Sequence, residues 1–227
     1  MRKILHPQVA AIAAILFVLY SFRGYGVETD DPIRWENDIQ QFEGADKTNP
    51  PPKKAILFIG SSSIRIWKTL ATDFPEHKVI NRGFGGSFLN DSVYFFDRIV
   101  APYRPKVIVI YAGGNDINAG KTPEDVFGAF TNFVAKAHKA LPKTRVAYIS
   151  IAPNPSRWSQ VEQVKAANKL IEDFIKKDSK LAFINIFPAM LGEDGKPKPD
   201  IFLKDNLHMN AKGYAIWVPI VRRYLKK

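Results

Sequence analysis

Four short stretches, widely separated along the chain, carry side chains and backbone groups that could do chemistry. Residues 61–63 are three consecutive serines, residues 83–86 read Gly-Phe-Gly-Gly, Asn115 follows two glycines, and Asp205 and His208 lie three positions apart. A hydroxyl, glycine backbone amides, a carboxamide and an Asp/His pair are the groups that acyl transfer by a serine requires. The sequence therefore predicts nucleophilic catalysis, provided that the fold brings these stretches together.

Each stretch taken alone also has a plainer structural interpretation. A serine is a usual N-cap of a helix, and a glycine-rich turn can serve backbone geometry alone or cradle a phosphate. Asn115 could turn or cap the chain, and Asp205 with His208 could form a capping box or a surface pair. A catalytic role is favoured because all four stretches occupy the same position relative to the predicted strands.

The elements that would position these stretches alternate along the chain. Continuous apolar runs predict strands over residues 55–59, 79–81, 106–111, 145–151 and 181–186. Helical spacing of apolar residues predicts helices over 31–42, 122–140, 159–177 and 211–225, and another from about Ile64 to Leu70. Pro219 should kink the last helix.

Uniformly apolar strands between helices indicate a parallel sheet covered on both faces. We predict a flavodoxin-like three-layer α/β/α sandwich with a five-stranded parallel sheet in the order 2-1-3-4-5.

All four stretches fall at one edge of this predicted sheet. The serines follow the first strand, the glycine-rich turn follows the second, Asn115 follows the third, and the Asp/His pair comes after the fifth. In open parallel sheets the functional crevice lies outside the carboxyl ends of the strands. His208 is the one histidine at this edge, since His6 lies near the N-terminus, His77 in a polar turn and His138 on a helix.

The composition limits the other classes of function. The chain of 227 residues has no cysteine, which excludes disulfides, thiolate catalysis and cysteine-based zinc sites. Its net charge of +11 would favour anionic surroundings, but the lysines are dispersed and no nucleic-acid-binding motif is present. We therefore predict no nucleic-acid partner. We expect one catalytic domain over residues 54–227, preceded by a helical lead-in and a proline-rich linker over residues 27–53.

The N-terminal segment, residues 1–26, has the pattern of an export signal or anchor. Arg2 and Lys3 precede an apolar run over residues 9–22, which matches a signal-peptide core and is short for a membrane span of about 20 residues. Signals for cleavage are poor. We therefore favour an anchor that keeps the domain outside the cytoplasm and associates it with a membrane, over a removed signal or a buried helix.

Together, the four stretches resemble the sequence blocks of the SGNH hydrolases, the GDSL-type esterase and lipase superfamily. The likeness runs from about residue 54 to the C-terminus. Residues 58–64 resemble the first block, residues 81–86 the second, residues 113–116 the Gly-x-Asn-Asp block, and residues 205–208 the Asp-x-x-His block. In combination these blocks are specific, whereas a run of serines alone would not be.

The resemblance implies a role for individual residues. The nucleophile position of Gly-Asp-Ser falls on Ser62, and Asp205 and His208 complete a catalytic triad. The oxyanion hole falls on the backbone of Ser62, the backbone of Gly86 and the side chain of Asn115. No metal or cofactor is required for this chemistry.

The implied activity is hydrolysis of carboxylic esters, with short acyl or acetyl esters on envelope glycans or lipids as the expected substrates. Ser61 stands where the family has Asp, a position that is not the triad acid. That replacement is the support for an alternative, a non-catalytic module of the same fold that binds a glycan or peptide. A flavodoxin-like nucleotide binder is disfavoured, because the chain lacks Gly-x-Gly-x-x-Gly after its first strand and lacks the P-loop lysine.

Overall fold

The structure, a computed structural model, describes residues 30–225. Within these residues the sheet has the strands β1 (Ile56–Gly60), β2 (Val79–Gly83), β3 (Val107–Tyr111), β4 (Arg145–Ile149) and β5 (Leu181–Ile184). All neighbouring pairs are parallel, and the spatial order is β2-β1-β3-β4-β5. The predicted fold class and strand order are therefore confirmed. The predicted N-terminal signal or anchor lies outside the described residues.

Helices cover both faces of the sheet. They are α1 (Glu36–Thr48), α2 (Ser62–Arg65), α3 (Leu70–Asp73), α4 (Leu89–Tyr94), α5 (Phe96–Ile99), α6 (Gly114–Asn118), α7 (Pro123–Ala140), α8 (Val161–Ile175) and α9 (Ala211–Leu225). Short 3₁₀ turns occupy Pro32–Trp35, Ala101–Tyr103, Pro155–Gln160, Pro188–Met190 and Pro199–Ile201. None of the helices in the described part of the chain is both long and apolar enough to cross a membrane.

The two central strands β1 and β3 are apolar throughout because each one contributes to two cores. Leu57 and Ile59 of β1 pack with residues of α1, α4, α5, α7 and α8 on one face. Ile56 and Phe58 point the other way, toward residues of α2, α3 and α9. Side chains alternate along a strand, so a strand covered on both faces cannot show an alternating polar pattern.

Two strands end earlier than the apolar runs predicted, because their last residues bond to side chains instead of the sheet. Ile151 donates its backbone N–H to Asn168 Oδ1 at 2.8 Å and accepts from Asn168 Nδ2 at 3.1 Å. Ile186 donates its N–H to Ser150 Oγ at 3.1 Å. These contacts tie the ends of β4 and β5 to α8 and to each other, at the edge where the functional residues lie.

The helix predicted after the three serines is shorter than expected. α2 is one turn, and α3 follows as a second separate turn. Trp67, between them, stacks on Tyr214 at 4.9 Å between ring centroids and donates its indole N–H to Asp73 Oδ2 at 2.6 Å. The helical spacing of the apolar residues from Ile64 to Leu70 therefore does not mark one continuous helix. These side chains lie in short turns and pack in the core. α9, in contrast, continues through Pro219.

The lead-in predicted before the domain packs closely on it. Asp31 accepts the N–H of Ile33 at 2.9 Å and caps the 3₁₀ turn that begins at Pro32. Further along, Ile39 of α1 is completely buried in the core. Asp30, where the described chain begins, pairs with Lys121 Nζ at 2.8 Å. The boundary predicted at residue 54 stays a prediction, but the packing of α1 makes residues 30–48 part of the same folded body.

Candidate active site

The structure brings the predicted serine, histidine and aspartate together at the carboxyl edge of the sheet. Ser62 Oγ lies 2.8 Å from His208 Nε2. His208 Nδ1 lies 2.7 Å from Asp205 Oδ2. Both separations are hydrogen-bond distances. A hydroxyl, an imidazole and a carboxylate thus form one continuous chain of hydrogen bonds, which is the arrangement that activates a serine.

A sharp turn after β1 selects the middle serine. Gly60 has φ +129°, and a Cβ atom at this position would lie 1.9 Å from the carbonyl oxygen of Tyr111. Only glycine can therefore pass β3 so closely before the chain turns into α2. Ser61 and Ser63 are buried on either side, whereas Ser62 is partly exposed in the pocket. This turn presents the Ser62 hydroxyl to His208.

The Asp205–His208 turn uses both oxygens of the aspartate. Oδ1 accepts the backbone N–H groups of Leu207 at 3.0 Å and His208 at 2.9 Å, while Oδ2 faces the imidazole. Burial alone would raise the pKa of Asp205, but the hydrogen bonds from His208 and from the two backbone N–H groups outweigh it and lower the pKa to about 2. The carboxylate is therefore ionised at neutral pH, as is needed to stabilise a charged imidazole.

Gly86 and Asn115 lie side by side. An added Cβ at Gly86 would be 3.6 Å from Asn115 Nδ2. The same Nδ2 donates to the carbonyl of Ser87 at 3.2 Å. Gly113, with φ +110°, turns the chain from β3 into α6 and so directs Asn115 toward the pocket that Ser62 and His208 also line. All the predicted site residues are thus gathered at one edge.

Sequence reasoning missed Arg157, which also lines this pocket. Arg157 Nη1 donates to Asn115 Oδ1 at 2.9 Å and to the carbonyl of Gly114 at 3.1 Å. Arg157 lies in the 3₁₀ turn that follows β4. The carboxyl end of the fourth predicted strand is where this residue could have been sought, although no local sequence pattern marks it.

The apolar residues that flank the predicted site divide into two groups. Phe84, Phe88 and Ile201 are at most 3% exposed and belong to the core. Phe202 and Leu207 line the pocket beside Ser62, together with Tyr111, Ile151, Ala152 and Met209. The wall of the pocket is therefore partly apolar, and the pocket is narrow. No cluster of His, Asp or Glu within residues 30–225 could hold a metal ion.

Asp116, next to the oxyanion candidate Asn115, is a buried carboxyl group that joins two turns of the site. Its two oxygens each accept the backbone N–H of Leu89 at 3.2 Å, at the start of α4. Burial raises the pKa of Asp116 to about 6, although the hydrogen bond from Leu89 partly opposes the shift. The group is therefore negatively charged and poorly solvated at neutral pH.

We expect Asp116→Asn to change how stability depends on pH. The folded-state pKa of about 6 lies above the unfolded value of about 3.9, so the wild type loses stability as pH rises from about 4 through 6, by about 3 kcal/mol in total. Asparagine keeps an acceptor for Leu89 and does not titrate. We expect urea unfolding at pH 4.5 and 7.5 to measure this effect. The free energy of unfolding of the variant, relative to the wild type, should be about 2 kcal/mol higher at pH 7.5 than at pH 4.5.

Asp125→Asn is the control for this measurement. Hydrogen bonds from the Thr122 backbone and hydroxyl lower the pKa of Asp125, so this carboxylate stabilises the wild type as pH rises. The free energy of unfolding of Asp125→Asn, relative to the wild type, should therefore decrease with pH, which is the opposite sign to Asp116→Asn. A difference for Asp116→Asn that stays constant with pH would show that this carboxyl titrates normally in the folded protein.

A parallel α/β sandwich with a hydrogen-bonded Ser-His-Asp chain at the carboxyl edge of its sheet defines a hydrolase-type architecture. A model of the GDSL-like Lipase/Acylhydrolase family matches residues 59–216. The chain therefore belongs to this family, as the resemblance of its sequence blocks implied. Membership of the family supports hydrolysis of esters. No curated protein matches the chain in sequence.

Solved structures show the same fold at low sequence identity. A protein from Streptococcus pneumonia has a TM-score of 0.75 and 19% identity, over 86% of this chain and 94% of its own. A GDSL-like lipase from Bacteroides thetaiotaomicron has a TM-score of 0.72 and 23% identity, over 82% and 96%. An acetyl-xylooligosaccharide esterase mutant from Geobacillus Stearmophilus has a TM-score of 0.61 and 13% identity, over 76% and 94%. The fold is thus that of GDSL-type hydrolases over nearly the whole length of these proteins.

Proposed function

We propose that the protein is a serine esterase in which Ser62 is the nucleophile, His208 the general base and Asp205 the residue that orients it. The hydrogen-bonded chain from Ser62 Oγ through His208 to Asp205 Oδ2 is the observation that carries this proposal. Membership of the acylhydrolase family supports it independently. The expected substrates are carboxylic esters with short acyl groups.

The reaction proceeds in two half-reactions. Ser62 Oγ attacks the ester carbonyl while its proton passes to His208 Nε2, and Asp205 fixes the imidazole tautomer and stabilises the imidazolium. The tetrahedral intermediate collapses, His208 gives the proton to the departing alcohol oxygen, and an acyl group remains on Ser62. A water molecule, deprotonated by His208, then attacks this acyl group and releases the carboxylic acid together with the free hydroxyl.

The negative charge that develops on the ester carbonyl oxygen needs hydrogen-bond donors that are in place before the reaction. The backbone N–H groups of Ser62 and Gly86 and the Nδ2 group of Asn115 are the proposed donors. Their support is the adjacency of Gly86 and Asn115 and the position of Asn115 in the pocket of Ser62. Removal of one such donor typically lowers kcat about a hundredfold to a thousandfold.

The preference for short acyl groups rests on the form of the pocket. Tyr111, Phe202, Leu207 and Met209 form an apolar part of its wall, and it is narrow beside Ser62. Structural neighbours of the same fold include proteins described as an acetyl-xylooligosaccharide esterase and as an acetyl esterase. We propose acetyl or similarly short esters, carried by an envelope glycan or lipid, as the substrate class.

We also propose that the protein is exported and held at a membrane by its N-terminal segment. The support is the apolar run over residues 9–22 behind Arg2 and Lys3. This run lies outside the described residues.

A series of p-nitrophenyl esters tests the proposed activity and its chain-length preference. We expect kcat/KM to be highest for the acetate or butyrate and at least about tenfold lower for the octanoate, because a narrow pocket excludes the longer chain. The highest value for octanoate would contradict the short-acyl proposal while keeping the esterase. A folded protein that cleaves none of these esters would instead favour the binding module that the replacement at Ser61 suggests.

A further inference from the structure

The orientation of the Asn115 carboxamide decides whether it can serve an oxyanion. Its Nδ2 end donates hydrogen bonds, whereas its Oδ1 end would repel a negative charge. In the structure Nδ2 faces the carbonyl of Ser87 and lies beside Gly86, and Oδ1 faces Arg157. A rotation of the amide by half a turn would place an acceptor where the proposed mechanism needs a donor.

Arg157 permits only one of these two orientations. A guanidinium has donors and no acceptor, so the end of Asn115 that faces it must be the oxygen. Arg157 Nη1 lies 2.9 Å from Asn115 Oδ1 and 3.1 Å from the carbonyl oxygen of Gly114. It thus holds the side chain of Asn115 and the backbone of the preceding residue together, at the first turn of α6.

The turn that carries Arg157 is itself tied to the triad. Asn154 Oδ1 accepts the backbone N–H of Arg157 at 2.9 Å and caps the 3₁₀ turn. Ser156 donates its backbone N–H to the carbonyl of Asn206, within the Asp205–His208 turn, at 3.0 Å. One short segment after β4 therefore contacts both the acid-base side and the oxyanion side of the site.

We propose that Arg157 is a positioning residue that holds the Asn115 carboxamide with Nδ2 directed at the oxyanion. This inference rests on the proposed esterase function. Arg157 acts through Asn115, and its hydrogen bond to Oδ1 also draws electron density from the amide, which makes Nδ2–H a stronger donor. A different role, direct contact of Arg157 with the substrate, is an outcome that the experiment separates.

The test is a double-mutant cycle on a neutral ester, p-nitrophenyl acetate. Asn115→Ala should lower kcat about a hundredfold to a thousandfold. Arg157→Met should lower kcat at least about tenfold and leave KM nearly unchanged, because a transition-state interaction is weakened. The double variant should be no slower than Asn115→Ala, since Arg157 has nothing left to position.

Two further variants complete the design. Arg157→Lys keeps the charge but not the planar pair of donors, and should recover part of the kcat lost in Arg157→Met. If Arg157→Met fails to fold, the cycle is measured with Arg157→Lys.

Arg222→Met is the matched control. Arg222 bonds to Glu76 and the carbonyl of Asp73 on the surface of α9, so its loss should leave kcat unchanged.

The outcomes separate this inference from the proposed function. Losses of kcat that multiply in the double variant, or a rise in KM in place of the fall in kcat, would overturn the positioning role and point to direct substrate binding. Equal values of kcat for the wild type and Arg157→Met would overturn this inference alone. A folded wild-type protein with no hydrolysis would overturn the proposed function and the inference together.

Discussion

The Ser62→Ala variant should lose about a million-fold in kcat for ester hydrolysis, the effect of removing the nucleophile of a serine hydrolase. The reason is that His208 would have no hydroxyl to deprotonate, although it would remain bonded to Asp205. Stability should change by less than about 1 kcal/mol, because Ser62 is partly exposed and its hydroxyl bonds to a side chain of the pocket. Steady-state kinetics and urea unfolding measure the two effects.

Ser61→Ala and Ser63→Ala are the matched controls. Both side chains are buried beside Ser62, so their removal tests the same turn without the predicted nucleophile. A fluorophosphonate probe followed by peptide mass mapping should give one adduct, on Ser62, in the wild type and in both controls. An adduct on Ser61 or Ser63, or full activity of Ser62→Ala in a sample free of contaminating esterase, would refute the assignment of the nucleophile.

A shortened chain that begins at Lys54 should not fold stably, although the sequence places the whole catalytic domain after that point. The deleted lead-in contributes the buried Ile39 and the partly buried Trp35 to the core. It also provides Glu36 and Glu43, which both pair with Arg98 at 2.7 Å. The deletion therefore removes side chains that pack in the core and the two ion-pair partners of Arg98.

The same deletion takes away the partners of a buried carboxylate, Asp91. Arg34 Nη2 and Trp35 Nε1 each donate to Asp91 Oδ2 at 2.9 Å, and the Asp91 side chain is 2% exposed. Burial raises the pKa of Asp91, although the Phe88 N–H and Arg34 oppose the shift. Without Arg34 and Trp35 this carboxylate loses two donors, and the start of α4, which it caps through Phe88, loses its support.

Loss of the apolar burial of Ile39 and Trp35 costs about 2 kcal/mol or more for each side chain. With the partners of Asp91 and Arg98 also lost, the total reaches about 5 kcal/mol, the lower end of the stability of whole domains. Urea unfolding should therefore show no cooperative transition for a chain begun at Lys54. A chain begun at Asp30 keeps all these contacts and should unfold cooperatively. Equal urea midpoints for the two chains would contradict the prediction.

The main features of the fold and site follow from local sequence patterns. Continuous apolar runs placed all five strands, and the rule about carboxyl ends placed Ser62, Asn115 and His208 at one edge. These predictions succeed because each depends on residues close in the chain: an apolar run, a glycine that permits a turn, or a carboxylate three positions before a histidine.

The features that were missed depend on contacts between distant parts of the chain. Arg157 meets Asn115 across 42 positions, and Trp35 meets Asp91 across 56. An isolated arginine after a strand, or a tryptophan in a lead-in, has no local pattern that reports its partner. The ends of β4 and β5 were missed for the same reason, since Asn168 and Ser150 take backbone groups that a strand would otherwise use.

The ion pair between Asp30 and Lys121 places the first described residue of the chain close to the end of α6. Lys121 lies just after α6, the helix that carries Asn115, so the chain enters at the same edge as the site. With the proposed anchor in a membrane, the enzyme would search for esters in two dimensions, at a local concentration set by the length of its tether and not by the bulk solution.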